Sequence, residues 1–449
     1  MQISLAPIEE TKHCHEPIDV LACAQGSSAA KLITGATGSD LEGMNHHNAA
    51  AARPAVKPGL IALLIAVSAV SPLGINMYLP SMPGMARALG VDFTTIQLTL
   101  SLYLGAMALG QLIIGPLSDR FGRRPVLLIG LLTFVAGSVL CLLAQSIGVL
   151  IFGRIVQAIG GCAGITLSRA IVRDLYDRNQ VASMIAYVTM GMAVAPMIAP
   201  TIGGLLETFF GWRASFAFLI GFGGLALVFA YGRLHETHHN RASGETAREL
   251  LQGYGSLFRS RQFWGYTLVT SFVSAMFFAF LAGAPYVMIE LLKRSPAEYG
   301  FYFAMVPCGY MLGNFVTGRI AGIMGPNRMI LAGTLLSLAS IGSMAALIAS
   351  GFLVPVALFG PMLFIGVANG LVLPSGIAGA VSVRPDLAGA ASGLSGSFQI
   401  GFGALVAPIV GAALSSTVWP LIVIMAICSL LSIVSLVLVA GQRMPVAGG

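Results

Sequence analysis

Charged side chains are scarce in this chain. Asp, Glu, Lys and Arg make up 9% of its 449 residues, against about 25% in an average soluble domain. That leaves too little polar surface to cover a water-soluble globule, and a cytosolic enzyme is excluded on this ground. The six cysteines (Cys14, Cys23, Cys141, Cys162, Cys308 and Cys428) stand singly, four of them in apolar runs, without the spacing of a disulfide framework or zinc site, so free thiols are expected. No Gly-x-x-x-x-Gly-Lys-Ser/Thr stretch occurs, which rules out ATP drive as a property of the chain itself. What fills the sequence is apolar. AVILMFWYC residues account for 56% and glycine for 55 positions, with a mean hydropathy of +0.87, the composition of a polytopic membrane protein.

The net charge of +7, from 24 Lys+Arg against 17 Asp+Glu, lies in short gaps between apolar runs rather than on one exposed basic face. It therefore reports membrane topology, and nucleic acid is not an expected partner. Residues 1–57 are polar and rich in Ala, Gly, Ser and His, and read as a disordered tail. No apolar stretch follows a basic start there, so the first span is expected to act as the insertion signal. His13-Cys14-His15 and His46-His47 have no second ligand cluster at fixed spacing, and no metal is expected.

From Gly59 onward, apolar runs of about 20 residues recur, enough for a helix to cross a hydrocarbon core of about 30 Å. The sequence predicts twelve: 59–79, 95–115, 126–145, 149–170, 181–206, 214–232, 264–288, 299–320, 328–350, 354–376, 389–412 and 419–440. The polar break near 233–262 divides them six and six. This gives an all-α membrane protein with a cytoplasmic tail at 1–57, six-helix bundles at 58–233 and 263–441, a cytoplasmic linker at 234–262 and a second tail at 442–449. With the N-terminus inside, the inner segments hold fifteen basic residues, from Lys57 and Arg120 to Arg384 and Arg443, while the outer loops hold only Arg87, Arg213, Lys293 and Arg294. The reverse orientation would violate the positive-inside rule throughout, so both termini are expected in the cytoplasm.

The gap after the second span reads Gly115-Pro-Leu-Ser-Asp119-Arg120-Phe-Gly122-Arg123-Arg124. The gap after the eighth is a worn copy, Gly318-Arg319-Ile-Ala-Gly-Ile-Met-Gly325-Pro-Asn-Arg328. Glycine is needed where the chain turns tightly between two membrane helices, and an acid among arginines near helix ends can cap or pair as a latch that makes and breaks. A parallel repeat of two six-helix halves is the plan of a carrier that rocks around a midplane site. A channel would need a filter pattern or rings of like charge, which the sequence lacks.

Within the fourth span, Arg154 and Gln157 share one helix face in Leu150-Ile-Phe-Gly-Arg154-Ile-Val-Gln157-Ala158-Ile-Gly160-Gly161. An intramembrane guanidinium is costly unless it meets acceptors or water, so Arg154 is a functional candidate. The alternative is that it only pins the fourth span to the first through carbonyls and amides. The fifth span carries Gly191-Met-Ala-Val-Ala-Pro196-Met-Ile-Ala-Pro200-Thr-Ile-Gly203-Gly204, where two prolines should bend the helix and small residues permit close contact with a partner. A kinked packing helix explains the same pattern.

These motifs resemble the major facilitator superfamily. The 115–124 gap is similar to its first motif, Arg154-x-x-Gln157 to its fourth-helix motif with Ala158 in place of glycine, and Pro200-x-x-Gly203-Gly204 to an antiporter-type fifth-helix motif. Together with Pro72-Leu-Gly-Ile-Asn76-Met-Tyr78-Leu-Pro80, Ser168-Arg169-Ala170-Ile-Val-Arg173-Asp174, Gly211-Trp212-Arg213 and Ala390-Ala391-Ser392-Gly393 before Gln399, they resemble the Bcr/CflA drug-resistance transporters from residue 60 to 440. The resemblance implies the major facilitator fold with two pseudo-symmetric halves, a monomer in the cytoplasmic membrane's lipid bilayer, and drug:proton antiport without a cofactor. It is not an enzyme. Its expected partners are a small-molecule substrate and protons.

One departure stands out. Asn76 occupies the position where these transporters usually carry an Asp thought to take part in proton coupling. At about 1.5 Å per residue, Asn76 lies about 5 Å and Arg154 about 8 Å from the outer boundary, close enough to meet in one vestibule. No Asp, Glu or His lies well inside any span; Glu207 and Glu290 stand at outer helix ends, Asp119 and Asp174 at the inner face. An amide cannot carry a proton. Either coupling has moved to one of those acids, or the chain is a uniporter, or Arg154 attracts an anionic or strongly polar substrate. The expected site comprises Asn76, Arg154, Gln157, Tyr310, Asn314 and Gln399, in a wall of Tyr103, Phe272, Met276, Phe277, Phe280, Tyr286, Tyr302 and Asn369. The expected inner gate comprises Asp119, Arg120, Arg124, Arg173 and Asp174.

Overall fold

The computed structural model describes residues 58–176, 178–237, 255–384, 387–414 and 417–440. The expected tails and the middle of the linker, with Cys14 and Cys23, lie outside these residues. Twelve long helices appear in chain order. They are α1 Pro58–Asn76, α2 Phe93–Phe121, α3 Arg123–Leu142, α4 Ile147–Leu175, α5 Arg178–Phe210, α6 Arg213–Arg233, α7 Arg261–Tyr286, α8 Met305–Met324, α9 Pro326–Ala349, α10 Pro355–Ser382, α11 Ala388–Ala413 and α12 Trp419–Ala440. Among the described residues, eleven helical stretches are long and apolar enough to cross a membrane. The remaining one, α8, carries Asn314 and Arg319 within its 20 residues, and it is the eighth span expected from the sequence. Large apolar side chains such as Leu109, Ile113, Ile129, Phe152 and Val228 are exposed on the outside of the bundle, as a lipid-facing surface requires.

The boundaries differ from the sequence expectation where proline or capping intervenes. The first span stops at Asn76; a 3-10 turn at Leu79–Ser81 and a short helix at Met82–Leu89 follow, because Pro80 and Pro83 remove backbone donors. The eighth span is split, with a short helix Pro296–Phe303, opened by a Ser295/Glu298 capping box, ahead of α8. In the other direction, α2 and α4 run past their expected ends to Phe121 and Leu175.

The internal repeat is visible in backbone and packing alike. α2 turns directly into α3 at Gly122 (φ 98°), and α8 into α9 at Gly325 (φ 77°), a region of backbone space that only glycine enters freely. In the first half α1 packs on α4, α5 and α6, α2 on α4, and α3 on α4 and α6; in the second half α7 packs on α10, α11 and α12, α8 on α10, and α9 on α10 and α12. Each pair reappears six helices later. Glycines permit the closest approaches: a Cβ on Gly160 would meet the Phe134 backbone, and one on Gly370 would meet the Asn314 backbone.

An even number of spans places the start of α1 and the end of α12 on one face, called here the terminal face. The buried side chains of the first half form one core along its whole depth, from Leu64 and Ile171 near the terminal face to Met77 and Ile96, and this core continues into the second half towards the opposite face through Met288, Tyr299, Phe359 and Met425. Towards the terminal face the second half has a separate core of its own, built from Phe263, Tyr266, Val273, Ile330, Val372, Leu394 and Val439. The halves are joined at one end and part at the other.

Candidate functional site

Arg154 sits on α4 with 0% of its surface exposed. Its guanidinium carbon lies 4.0 Å from the Tyr78 ring centroid and 4.1 Å from that of Tyr103, so two aromatic faces take the place of water around the charge. One terminal nitrogen, Nη1, donates to the Gly74 carbonyl at 2.9 Å and to Gln157 Oε1. Gln157 in turn donates to Ser138 Oγ at 2.7 Å, and Ser138 to the Phe134 carbonyl at 2.8 Å. The arginine thereby ties α4 to α1 and α3. The aqueous vestibule expected around it is absent at this position; tyrosine rings enclose it instead. Its Nε and Nη2 are buried without a hydrogen-bond partner.

The amide facing Arg154 is Gln157 and not Asn76. Asn76 donates back to the Pro72 carbonyl at 2.8 Å within its own helix, and its Oδ1 is buried without a partner. Tyr310 and Asn314 are half-buried one turn apart on α8, with Asn314 donating to the Tyr310 carbonyl at 2.9 Å. Gln399 is half-buried on α11, 3.4 Å from Ser395 Oγ. None of these three is brought to the Arg154 cluster by a hydrogen bond. Of the aromatic wall, Tyr103, Met276 and Phe280 are fully buried, and Phe280 and Tyr302 pack on Phe359 at 5.3 and 5.8 Å between centroids. Arg169, quoted only within a motif, is exposed on α4 yet within electrostatic reach of Tyr310 across the seam. Its signal in the sequence was a cation at the end of a span with no acid at helical spacing on the side towards the core.

At the terminal face the ion pairs centre on Arg123, which lies outside the expected gate set. Arg123, only 5% exposed, pairs with Asp119 at 2.5 Å and with Asp174 at 3.0 Å, and also donates to Ser118 Oγ. Arg120 instead lies over the Phe121 ring, Arg124 donates to the Tyr231 carbonyl at 2.9 Å, and Arg173 is exposed. The positive-φ turn at Gly122 decides this. It reverses the chain so that the first residue of α3 points back at the end of α2, and Arg120 and Arg124 fall on outer faces. Glu236, beyond α6, accepts the backbone N–H of Arg123 at 2.9 Å and of Arg124 at 3.3 Å, supplying a side-chain cap that Gly122 cannot give to α3. Thr237 donates to Asp174 at 3.3 Å. Nothing local in the sequence points to Glu236, whose partners lie over a hundred positions away.

At the opposite face the halves are tied by Arg87 to Glu290, by the Thr94 hydroxyl to the Gly411 carbonyl at 3.1 Å, by Gln97 to the Ala282 carbonyl, and by the Thr201 hydroxyl to the Gly300 carbonyl at 2.9 Å. The fifth-helix motif belongs to this seam. A Cβ on Gly203 would meet the Met77 carbonyl, and one on Gly204 the Pro296 carbonyl of the other half; Pro196 and Pro200 lie inside the continuous helix α5. Cys141, Cys162, Cys308 and Cys428 are free thiols, as expected.

Comparison with known proteins adds to this geometry. The family model described as Major Facilitator Superfamily matches residues 64–399. A chloramphenicol resistance protein of Pseudomonas aeruginosa is 36% identical over 328 residues, 70% of this chain and 75% of the relative. Multidrug resistance protein D of Escherichia coli is 32% identical over 354 residues, 77% of this chain and 87% of the relative. The crystal structure of a bacterial homolog of the human lysosomal transporter Spinster, inward-facing and unoccupied, is similar in fold with a TM-score of 0.62 at 16% identity, covering 85% of this chain and 95% of that one.

Proposed function

The chain belongs to the major facilitator superfamily, and from that premise we propose that it exports small organic molecules, drugs or amphipathic metabolites, by alternating access coupled to proton entry. The observation that carries the reading is the asymmetric core. The core of the first half continues into the second half towards the face opposite the termini, while the second half keeps a separate cluster towards the terminal face. That is the arrangement of a carrier closed on one side and open on the other. The terminal face, with Arg120, Arg123, Arg124, Arg233 and Arg319, is cytoplasmic by the positive-inside rule. Residues 58–233 and 263–441 are the rocking bundles, 234–262 is the linker, and the chain works as a monomer in the cytoplasmic membrane.

Substrate contacts fall to half-buried polar groups between the halves, Tyr310, Asn314 and Gln399, with Arg169 opposite Tyr310. Arg154 and Gln157 hold the frame of the first half rather than the substrate. The Arg123 pairs with Asp119 and Asp174 form the cytoplasmic latch. The names of the relatives point to amphipathic antibiotics as the substrate class. The test is accumulation of chloramphenicol in a pump-deficient bacterial strain. Cells expressing the wild type should hold less drug than cells without it, and Tyr310→Ala should abolish the difference; equal drug content with and without the wild-type protein contradicts the export reading.

A uniporter, or a carrier of anions or polar metabolites without proton coupling, is the second reading. Asn76 favours it, because its amide is engaged with the Pro72 carbonyl and does not titrate.

A further inference from the structure

Proton antiport, as proposed above, needs a group that gains and loses a proton as the carrier changes state, and Asn76 is not one. Among the described residues, the acids near the ends of the spans include Asp119, Asp174, Glu290 and Glu207. Asp119 and Asp174 share Arg123, and Glu290 holds Arg87 and stands 3.7 Å from Lys293. Each of these three carboxylates is already taken up in an ion pair with an arginine. Glu207, near the end of α5, stands outside these ion pairs, although Ser81 hydrogen-bonds to it and Arg87 acts on it electrostatically. Its Oε2 is buried without a hydrogen-bond partner, and its Oε1 lies against the short helix Met82–Leu89 where a Cβ on Gly84 would meet it. Three residues beyond Gly84, on the same short helix, Arg87 forms the ion pair with Glu290 that crosses from one half to the other.

From this geometry we infer that Glu207 is the proton-binding site of this carrier and that its protonation closes the outer seam. A buried carboxylate with an unpartnered oxygen is costly when ionised and tolerable when neutral. The closed seam therefore favours the protonated form. An ionised Glu207 favours opening, which restores water to the carboxylate, and it competes with Glu290 for Arg87. Linkage fixes the sign: the closed form binds the proton more tightly, so lowering the pH stabilises closure. The bookkeeping is one proton added to one carboxylate, with no change elsewhere. The direction suits export, since a carrier that takes its proton from outside then turns inward.

The other charged groups at this end are Arg87 on the short helix, and Glu290, Lys293, Arg294 and Glu298 across the seam. The phenols of Tyr78 and Tyr299 are buried nearby on the first half and on the Pro296–Phe303 helix. Ser81 lies against Glu207, and Tyr78 against Arg154 and Thr99, so polar side chains follow one another from Glu207 into the first half.

The test reads conformation, so it does not depend on knowing the substrate. Spin labels at Ala88→Cys and Arg294→Cys, in the full chain with its own cysteines replaced and reconstituted in lipid nanodiscs, report the outer seam by pulsed electron spin resonance. The inference expects a shift from the long to the short distance as pH falls from about 8 to about 5, loss of that shift in Glu207→Gln with the short distance at every pH, and its retention in Glu207→Asp. Glu290→Gln should lose the short distance at every pH. A Glu207→Gln protein that keeps the wild-type shift overturns the inference, as does a wild type whose distances ignore pH. Either outcome leaves export itself to be judged by drug accumulation.

Discussion

Arg123 Nε lies 3.0 Å from Asp174 Oδ2, joining the first residue of α3 to the last turn of α4. The same guanidinium holds Asp119 at the end of α2, so three helix ends meet at one nearly buried cation. Arg123→Ala should lower the stability of the detergent-purified protein by roughly 2 kcal/mol, because Asp174 is left half-buried without its cation while the more exposed Asp119 recovers water. Arg120→Ala should stay within about 0.5 kcal/mol of wild type. Thermal unfolding followed by thiol-reactive fluorescence distinguishes the two, and equal losses would contradict the assignment of the latch to Arg123.

Tyr103 stacks on Arg154 and exchanges a hydrogen bond with Ser71 Oγ at 3.2 Å. Tyr103→Phe keeps the ring face and should cost about 1 kcal/mol for the lost hydrogen bond. Tyr103→Leu removes the ring, leaves the guanidinium against aliphatic carbon and should cost about 2 kcal/mol more. Denaturant titration of the two variants checks the order. If both lose the same amount, the ring is not what holds the charge.

Gly160 and Gly115 separate packing from motif membership. A Cβ on Gly160 would run into the Phe134 backbone, whereas one on Gly115 would meet nothing within 4 Å. Gly160→Ala should collapse the yield of monodisperse protein in size-exclusion chromatography, while Gly115→Ala should leave it unchanged. The reverse pattern would mean that α3 and α4 are farther apart than described.

Asp92 caps α2, accepting the Thr95 backbone N–H at 3.3 Å and its hydroxyl. The Thr95 hydroxyl, more than any other cause, holds the Asp92 carboxyl below the usual carboxylate range. Its contribution is therefore complete above that range and fades as pH falls through the depressed folded value. Hydrogen exchange of residues 93–97, corrected for intrinsic rates, should show faster opening for Asp92→Ala than for wild type at pH 6, with the gap shrinking on acidification. No gap at pH 6 would show that the cap contributes nothing.

The twelve helices, the six-and-six division and the turn glycines were legible because each rests on local signals: run length, a polar break, and a backbone that only glycine can adopt. The ordered Gly122 and Gly325 even gave the register between the halves. The partners of the charged groups were not legible, since they depend on which way a helix end points after the turn. After one positive-φ residue, Arg123 meets Asp119 and Asp174, Arg120 lies over Phe121 and Arg124 turns to Tyr231 of α6. Glu236 and Arg169 were missed because their partners lie in distant sequence. The pairing of Arg154 with Asn76 rested on depth alone, and depth does not fix the direction in which a side chain faces around its helix.

Proteoliposomes loaded with a pH-sensitive dye test the central claim of proton-coupled export most directly. Chloramphenicol added to the side from which it is transported should drive protons the opposite way, changing the lumen pH, and an imposed pH gradient should in turn drive drug accumulation; Glu207→Gln, held closed at the outer seam, should remove both. Drug movement by the wild type that leaves the lumen pH unchanged and ignores an imposed gradient would contradict the account.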